Sequence, residues 1–253
     1  MNFSGLYTLF YKEILRFGKV ALQTVLAPVV TALLYLLVFS HVLEEHVQVY
    51  EGVSYTAFLI PGLMMMSIIQ NAFANSSSSL IQSKITGNII FVLLTPLSYL
   101  EFYLAFLFAS IVRALVVGVG IFFVAIWFVE LPVYSAVYLF LFAFLSSAVL
   151  GTIGIVAGIW SDRFDHLAGF QNFIIMPLSF LSGVFYSIHS LPSFWQTLSK
   201  FNPFFYMIDG FRYGFFGVSD IDPLYSLTVV FVAWLLLAGL TLNILKSGYK
   251  LRN

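Results

Sequence analysis

Six stretches of this chain, residues 20–43, 53–75, 102–129, 133–160, 167–186 and 224–245, contain no Asp or Glu, and Arg113 is their only Lys or Arg. A helix needs about 20 mostly apolar residues to cross the hydrocarbon of a bilayer, and each stretch reaches that length. Of the 253 residues, 61% are hydrophobic and only 9% charged, too few polar groups to shield these stretches from water. The solvent they imply is a bilayer. The fold class expected is therefore an all-α membrane protein, a single domain over residues 1–253 with six transmembrane helices. Pro28, Pro61 and Pro177 fall inside these stretches and remove a backbone donor there, which predicts kinks.

The same residues exclude several classes of function. A formal net charge of zero gives no electrostatic basis for binding nucleic acid. The chain has no cysteine, hence no disulfide, thiolate metal site or Cys nucleophile. No G-x-x-x-x-G-K-[ST] phosphate loop occurs; Gly18-Lys19 is followed by Val20 and lacks the earlier glycine. No G-x-S-x-G elbow is present, and His41 and His46 have no metal-ligand spacing. No catalytic residue, cofactor or metal ligand is expected in this chain. Proton-coupled carriers need carboxylates or histidines that load and release protons at membrane depth, and without an embedded carboxylate the driving force is expected to come from elsewhere.

Residues 2–19 place Phe3, Leu6, Tyr7, Phe10, Ile14 and Phe17 at spacings of three and four, with Lys12, Arg16 and Lys19 on another face. This predicts an amphipathic helix lying in the membrane interface with its basic side toward lipid headgroups. A cleaved signal peptide is not expected, because the following apolar run is too long and lacks a small-residue cleavage site. Lys12, Arg16, Lys19, Lys84, Arg163, Lys246, Lys250 and Arg252 would share one side of a six-span chain, against Lys200 and Arg212 on the other. The excess of basic residues marks the cytoplasmic side, so both termini are expected there. The first outer loop, with Glu44, Glu45, His46 and Glu51, has no Lys or Arg and agrees.

Three further segments stand out. Residues 191–217 are too aromatic for a solvated loop and too interrupted, by Pro192, Lys200, Asn202, Pro203, Asp209 and Arg212, for a span. They read as two short helices, roughly 193–201 and 204–216, that re-enter the outer membrane edge, where protein must satisfy the broken backbone. Between the second and third stretches, residues 85–94 form a short apolar helix ended by Thr95-Pro96, suited either to pack on another protein or to lie on the bilayer. Residues 161–167, with Asp162, Arg163 and Asp165, fit a polar turn or a switch. In the fourth stretch Ser147, Gly151, Gly154 and Gly158 share one face, which predicts close helix contact.

Together, the interfacial amino-terminal helix, the LLTPLS segment entering the third span, the Phe164-Asp165 pair after the fourth, PLSFLSGVFYSIHSLPSFW over 177–195 and NPFFYMIDGFRYGFFG before the last resemble the permease subunit of ABC-2 type exporters. The resemblance covers almost the whole chain. It implies a homodimeric transmembrane domain in a bacterial inner membrane, seated on two copies of a separate ATP-binding subunit that holds ATP and magnesium. The cargo implied is an amphiphile such as a glycolipid, polysaccharide, lipid or drug, moved outward. By position, residues 1–19 match the family's gate helix, 76–97 its coupling segment and 191–217 its outer re-entrant helices.

The resemblance then assigns ATPase docking to Lys84, Ile89, Ile90, Phe91, Val92 and Leu93, together with Asp162, Arg163 and Asp165. Relatives commonly carry acidic residues before this Leu pair, whereas Ile90 and Phe91 stand here, so docking is expected to rest on apolar contact. Spans one, two and five would flank the path. Tyr35, Phe39, Phe58, Phe180, Phe185 and Tyr186 are its candidate wall, since aromatic faces slide along sugars or acyl chains; ordinary packing or lipid-facing aromatics are the alternative. Arg113 would meet an anionic headgroup or bond a carbonyl within the bundle. The outer motif comprises Asn202, Pro203, Tyr206, Asp209, Arg212 and Gly214, with Asp209 and Arg212, three apart on a helix, expected to pair. The competing readings are an ATP-independent channel or carrier and a lipid-handling membrane enzyme.

Overall fold

A computed structural model of the chain describes residues 2–43, 49–50 and 52–250. Glu44, Glu45, His46, Glu51 and Arg252, used above to orient the chain, lie outside the described residues. The elements in order are α1 (Phe3–Gly18), α2 (Ala21–Leu43), α3 (Tyr55–Ile85), α4 (Ile89–Leu93), α5 (Tyr99–Ala125), α6 (Ala136–Trp160), α7 (Phe164–Phe170), a π-turn (Gln171–Ile175), α8 (Met176–Phe180), a 3₁₀ turn (Ile188–Ser190), α9 (Ser193–Lys200), α10 (Pro203–Phe216) and α11 (Pro223–Ser247).

The architecture is all-helical and centred on α3. That helix is 31 residues long, about 46 Å at 1.5 Å per residue, so it outruns the roughly 30 Å hydrocarbon layer. In its apolar window 83% of residues are buried, against 17% in α2 and α11, which sit at the periphery. α5 and α6 pack on two sides of α3, and α10 closes a third. The small-residue face of α6 explains how closely the helices approach. A Cβ added to Gly154 would stand 2.5 Å from the Phe73 carbonyl oxygen, and one on Gly158 2.8 Å from Leu80 Cβ. Ser76 Oγ donates across this seam to the Gly151 carbonyl at 2.7 Å. The expected close contact is therefore made, between α6 and α3.

Among the described residues five helices, α2, α3, α5, α6 and α11, are long and apolar enough to cross a membrane. The fifth apolar stretch departs from expectation. Its helix begins at Phe164, runs through α7, widens into the π-turn and ends with α8 at Phe180. Leu181 N still donates to Pro177 O at 3.0 Å, but Gly183 then turns the chain at φ +76°. The span expected over 167–186, with a kink at Pro177, is thus a shorter helical path whose expanded turn falls just before Met176, a feature that hydropathy cannot register.

α10 is not a surface hairpin arm. Phe204, Phe205, Met207, Ile208, Phe211 and Phe215 are all buried, and Gly210 receives the ring of Phe142 from α6. The Asn202-Pro203 break is the start of this helix: Asn202 Oδ1 accepts from Phe204 N at 3.0 Å, and Pro203 occupies the first turn, where no donor is missed. Asn202 Nδ2 reaches Leu178 O at 2.7 Å, which fixes α10 to the end of α8.

α1 lies along α5. Leu9, Glu13 and Phe17 are buried, while Phe3, Tyr7 and Tyr11 are exposed and Arg16 turns inward. Its N-cap residue, Asn2, is held to the start of α5. There, Ser98 and Glu101 form a capping box, and the Asn2 backbone N–H donates to Glu101 Oε1.

Candidate functional site

Three regions collect the polar and aromatic residues that packing alone does not require. At the junction of α1, α3 and α5, Arg16 donates through Nε to Glu13 Oε2 at 3.1 Å, and through an Nη to the Asn75 carbonyl and Oδ1, both at 2.9 Å. Lys12 Nζ stands 3.2 Å from Glu13 Oε1. One helical turn along α3, Asn71 Oδ1 accepts from Arg113 at 3.2 Å, and Asn71 Nδ2 donates to Ser67 O at 3.0 Å. Arg113 also lies over the ring of Phe17, 6.0 Å from its centroid. Within the chain Arg113 bonds a side-chain amide rather than the backbone carbonyl that was one of its two expected partners. Arg16 likewise bonds inward rather than facing lipid.

Sequence reading missed Glu13, Gln70, Asn71 and Asn75. The signal was present as three amides within six residues of an otherwise apolar run, on a helix too deep for them to be solvated. Three buried donors here have no partner: Gln70 Nε2, Asn75 Nδ2 and Arg113 Nε. Gln70 and Asn71 also line a cavity of about 240 Å³ between α2 and α3, whose other walls include Pro28, Thr31 and Tyr35.

Tyr35 connects that cavity to a row of rings. Its centroid is 6.1 Å from Phe39 and 5.7 Å from Phe185; Phe39 lies 5.2 Å from Phe185, and Phe180 stacks on Phe185 at 5.7 Å. Four of the six predicted wall aromatics are thus contiguous. Tyr186 lies at the edge, its hydroxyl donating to Phe180 O at 3.3 Å. Phe58 is elsewhere, fully buried beneath Arg212.

At the α9–α10 end the expected Asp209–Arg212 pair does not form. Asp209 accepts from the backbone of Asp220 and Ile221, at 2.8 and 3.0 Å, while Arg212 donates to Gly183 O at 2.9 Å. Free backbone groups in the turns that flank α10 outcompete the neighbour three residues away. Burial pushes the Asp209 carboxyl up to about 6. Asp220 continues the network, accepting from Tyr50 Oη at 3.0 Å, Ser187 Oγ at 2.7 Å and Ile188 N at 2.7 Å. Tyr206 donates to Lys200 O at 2.8 Å, and Gly214 carries its carbonyl to Ser135 N at 2.9 Å. The motif residues therefore join α8, α9, α10 and the α5–α6 connection.

The opposite end holds α4. Only Ile89 is buried and Val92 is partly covered, whereas Ile90, Phe91, Leu93 and Leu94 are exposed, Phe91 by 71% and Leu94 by 77%. A cavity of about 280 Å³ separates Val92, Leu93 and Leu97 from Leu245 and Lys246 of α11. Lys84 is engaged within the chain. Its Nζ donates to Ile159 O at 2.9 Å, Ser161 O at 2.6 Å and Asp162 Oδ1 at 3.2 Å, so it caps the negative end of α6. Lys250 holds the other oxygen of Asp162 at 3.2 Å. Lys250 and Lys84 keep that carboxyl below its usual range. Arg163 and Asp165 are exposed beside it. Among the described residues no three His, Asp or Glu side chains converge.

Comparison with known proteins agrees with this architecture. The family model described as ABC-2 type transporter matches residues 4–216. The chain is similar to the inner membrane transport permease YadH of Escherichia coli K12, with 36% identity over 230 residues, 90% of each chain. It is similar as well to nodulation protein J of Rhizobium leguminosarum bv. trifolii, with 27% identity over 206 residues, 81% of this chain and 78% of the relative. Nodulation protein J of Rhizobium meliloti shares 24% over 202 residues, 79% of this chain and 77% of the relative.

Proposed function

The chain belongs to the ABC-2 type transporter family and is a transmembrane transport subunit, and on that premise we propose that it is the permease of an ATP-driven exporter in a bacterial inner membrane. Permeases of this family generally pair with an ATP-binding subunit. Here two copies of the chain sit on two such subunits, which carry ATP and magnesium, and move an amphiphile outward from the cytoplasm or inner leaflet. Residues 164–180 supply a sixth span beside the five long helices, both termini are cytoplasmic, and α9 and α10 re-enter at the outer edge.

The observation that carries this reading is the exposed apolar face of α4. A five-residue helix cannot cross a bilayer, and leaving Ile90, Phe91 and Leu94 in water is unfavourable by roughly 25 cal/mol per Å² of apolar surface. The face sits between α3 and α5, two helices that run the depth of the bundle, so a push on α4 reaches the path. For nucleotide to shift the population of an outward-open state, the ATPase must contact α4 differently in its two states. α4 is seated by Ile89 above a cavity rather than packed on all sides, which leaves room for that movement.

Reconstitution tests the reading. In liposomes, the chain with its ATP-binding partner should expel a fluorescent amphiphile only with ATP and magnesium. Transport or conduction by the chain alone, without nucleotide, would replace the exporter with a channel or carrier.

A further inference from the structure

We propose that the groove between α5 and α6 is a binding site for one acyl chain of a bilayer lipid, drawn from the leaflet on the side where these two helices are joined. The inference goes beyond the exporter reading and requires only that α5 and α6 cross a membrane.

Packing makes the groove. Toward the start of α5 the two helices touch: Tyr103 Oη and Thr152 Oγ1 are 2.8 Å apart, and a side chain on Gly151 would collide with Ser110 Oγ. Toward their connection each helix follows a different neighbour. Gly118 seats α5 against Ile68 of α3, whereas Ser135 N donates to Gly214 O at 2.9 Å and Leu139 packs against Gly214, which ties the start of α6 to α10. The helices part there and leave a cavity of about 360 Å³ with the exposed side chains of Val119 and Phe140 at its mouth.

Chemistry and size then select the occupant. Met64 and Ile68 of α3 and Phe211 and Phe215 of α10 form a buried floor, and every other lining residue is aliphatic, aromatic or glycine. A buried water makes about three hydrogen bonds, and these side chains offer no oxygen or nitrogen to make them. A helix of a second copy is too thick: two turns, about 11 Å long and 10 Å across, occupy roughly 850 Å³. Val119 and Phe140 belong to the outward faces of two helices long and apolar enough to span, so the medium that meets the mouth is hydrocarbon. An extended acyl chain is slim enough to enter, has no polar group to desolvate, and restores the dispersion contacts that the floor forfeits when empty.

Depth agrees with this. The deepest lining residue of α5, Leu115, lies ten residues from the end of that helix at Ala125, a rise of about 15 Å. That is half of the roughly 30 Å hydrocarbon layer, so the groove belongs to a single leaflet. Trp127 and Tyr134, both exposed in the connection above it, are side chains of the kind that collect at headgroup level. A chain seated in the groove leans on Phe211 and Phe215, and through them the lipid acts on the seating of α10.

The test places the intact chain in phosphatidylcholine vesicles in which part of the lipid carries a photoreactive diazirine midway along one acyl chain. Illumination followed by peptide mass spectrometry reads which residues that chain touches. The expected result is adducts on the buried floor, at Met64, Phe211 or Phe215, besides those on exposed residues such as Leu236 of α11. Ala143→Phe, which fills the groove from α6, should abolish the floor adducts and leave those on Leu236 unchanged. Should Ala143→Phe fail to fold, Ala136→Phe at the rim should give the same loss. Adducts confined to exposed residues, or floor adducts that persist in whichever variant folds, would overturn the site. A second measurement asks whether another copy covers the groove. The chain has no cysteine, so Val119→Cys and Phe140→Cys each place a unique thiol at the mouth. Under an oxidant neither variant should form a disulfide-linked dimer; such a dimer from either would assign the groove to a second copy and overturn the proposal.

Discussion

The guanidinium of Arg212 lies 3.8 Å from the centroid of the Phe58 ring, and both side chains are sealed inside the bundle. The pair joins α10 to the amino-terminal end of α3, and Arg212 adds a hydrogen bond to Gly183 O beyond the end of α8. A desolvated cation on an aromatic face contributes about 2 kcal/mol, and a buried carbonyl left without its donor loses about 1–3 kcal/mol more. Arg212→Met keeps the volume and removes both. It should lower the unfolding midpoint of the detergent-purified protein by several degrees, and Phe58→Leu should lower it less.

Asp209 makes stability depend on pH. Because burial holds its folded pKa at about 6, above an ordinary value of about 3.9, the folded state takes up a proton that the unfolded chain has already released. The stabilisation is complete below about pH 4 and is lost as pH rises through about 6, an effect of at most about 3 kcal/mol. Asp220 adds to the upward shift of Asp209 and Arg212 opposes it. Unfolding midpoints measured across this window should fall with rising pH, and the slope should flatten in Asp209→Asn.

Gly154 admits no side chain. Its missing Cβ would face a backbone carbonyl of α3, that of Phe73, which has no rotamer by which to yield. Overpacking costs about 1–3 kcal/mol even where neighbours can adjust. Gly154→Val should therefore abolish the monodisperse peak in gel filtration, while Gly169→Ala, where nothing stands within 4 Å, should leave it intact.

Lys84 and Lys250 hold the same carboxylate but differ in depth. Lys84 also bonds two carbonyls at the end of α6 and Lys250 one, that of Trp160 at 3.0 Å, and a charged hydrogen bond contributes about 1.5–3 kcal/mol. Lys84→Met should lower the unfolding midpoint clearly, and Lys250→Met should lower it much less, since its side chain is more exposed.

Much of this arrangement was legible in the sequence. Hydropathy located five helices, the short α4 and the amphipathic α1. Asn202-Pro203 marked the boundary between α9 and α10 within a residue, because an Asn cap and a Pro in the first turn have local causes. The small-residue face of α6 gave its contact with α3. What escaped had long-range causes. Arg16 and Asn75 are 59 positions apart, and nothing in either neighbourhood shows that α1 turns Glu13 and Arg16 inward. Asp209 and Arg212 have the spacing of a pair, yet each finds a backbone partner that exists only once the chain has folded. The π-turn before Met176 leaves no mark on composition. The carbonyls that Lys84 bonds at the end of α6 lie 75 and 77 positions away and were equally out of sight.

The proposed seating of an ATP-binding subunit on the exposed face of α4 is tested most directly by co-purification of that subunit with the tagged chain. Wild-type chain should retain the ATPase in stoichiometric amount, and Phe91→Asp combined with Leu94→Asp should release it while the chain still inserts and elutes as a folded species. Full retention of the ATPase by that double variant, with the chain intact, would contradict the claim.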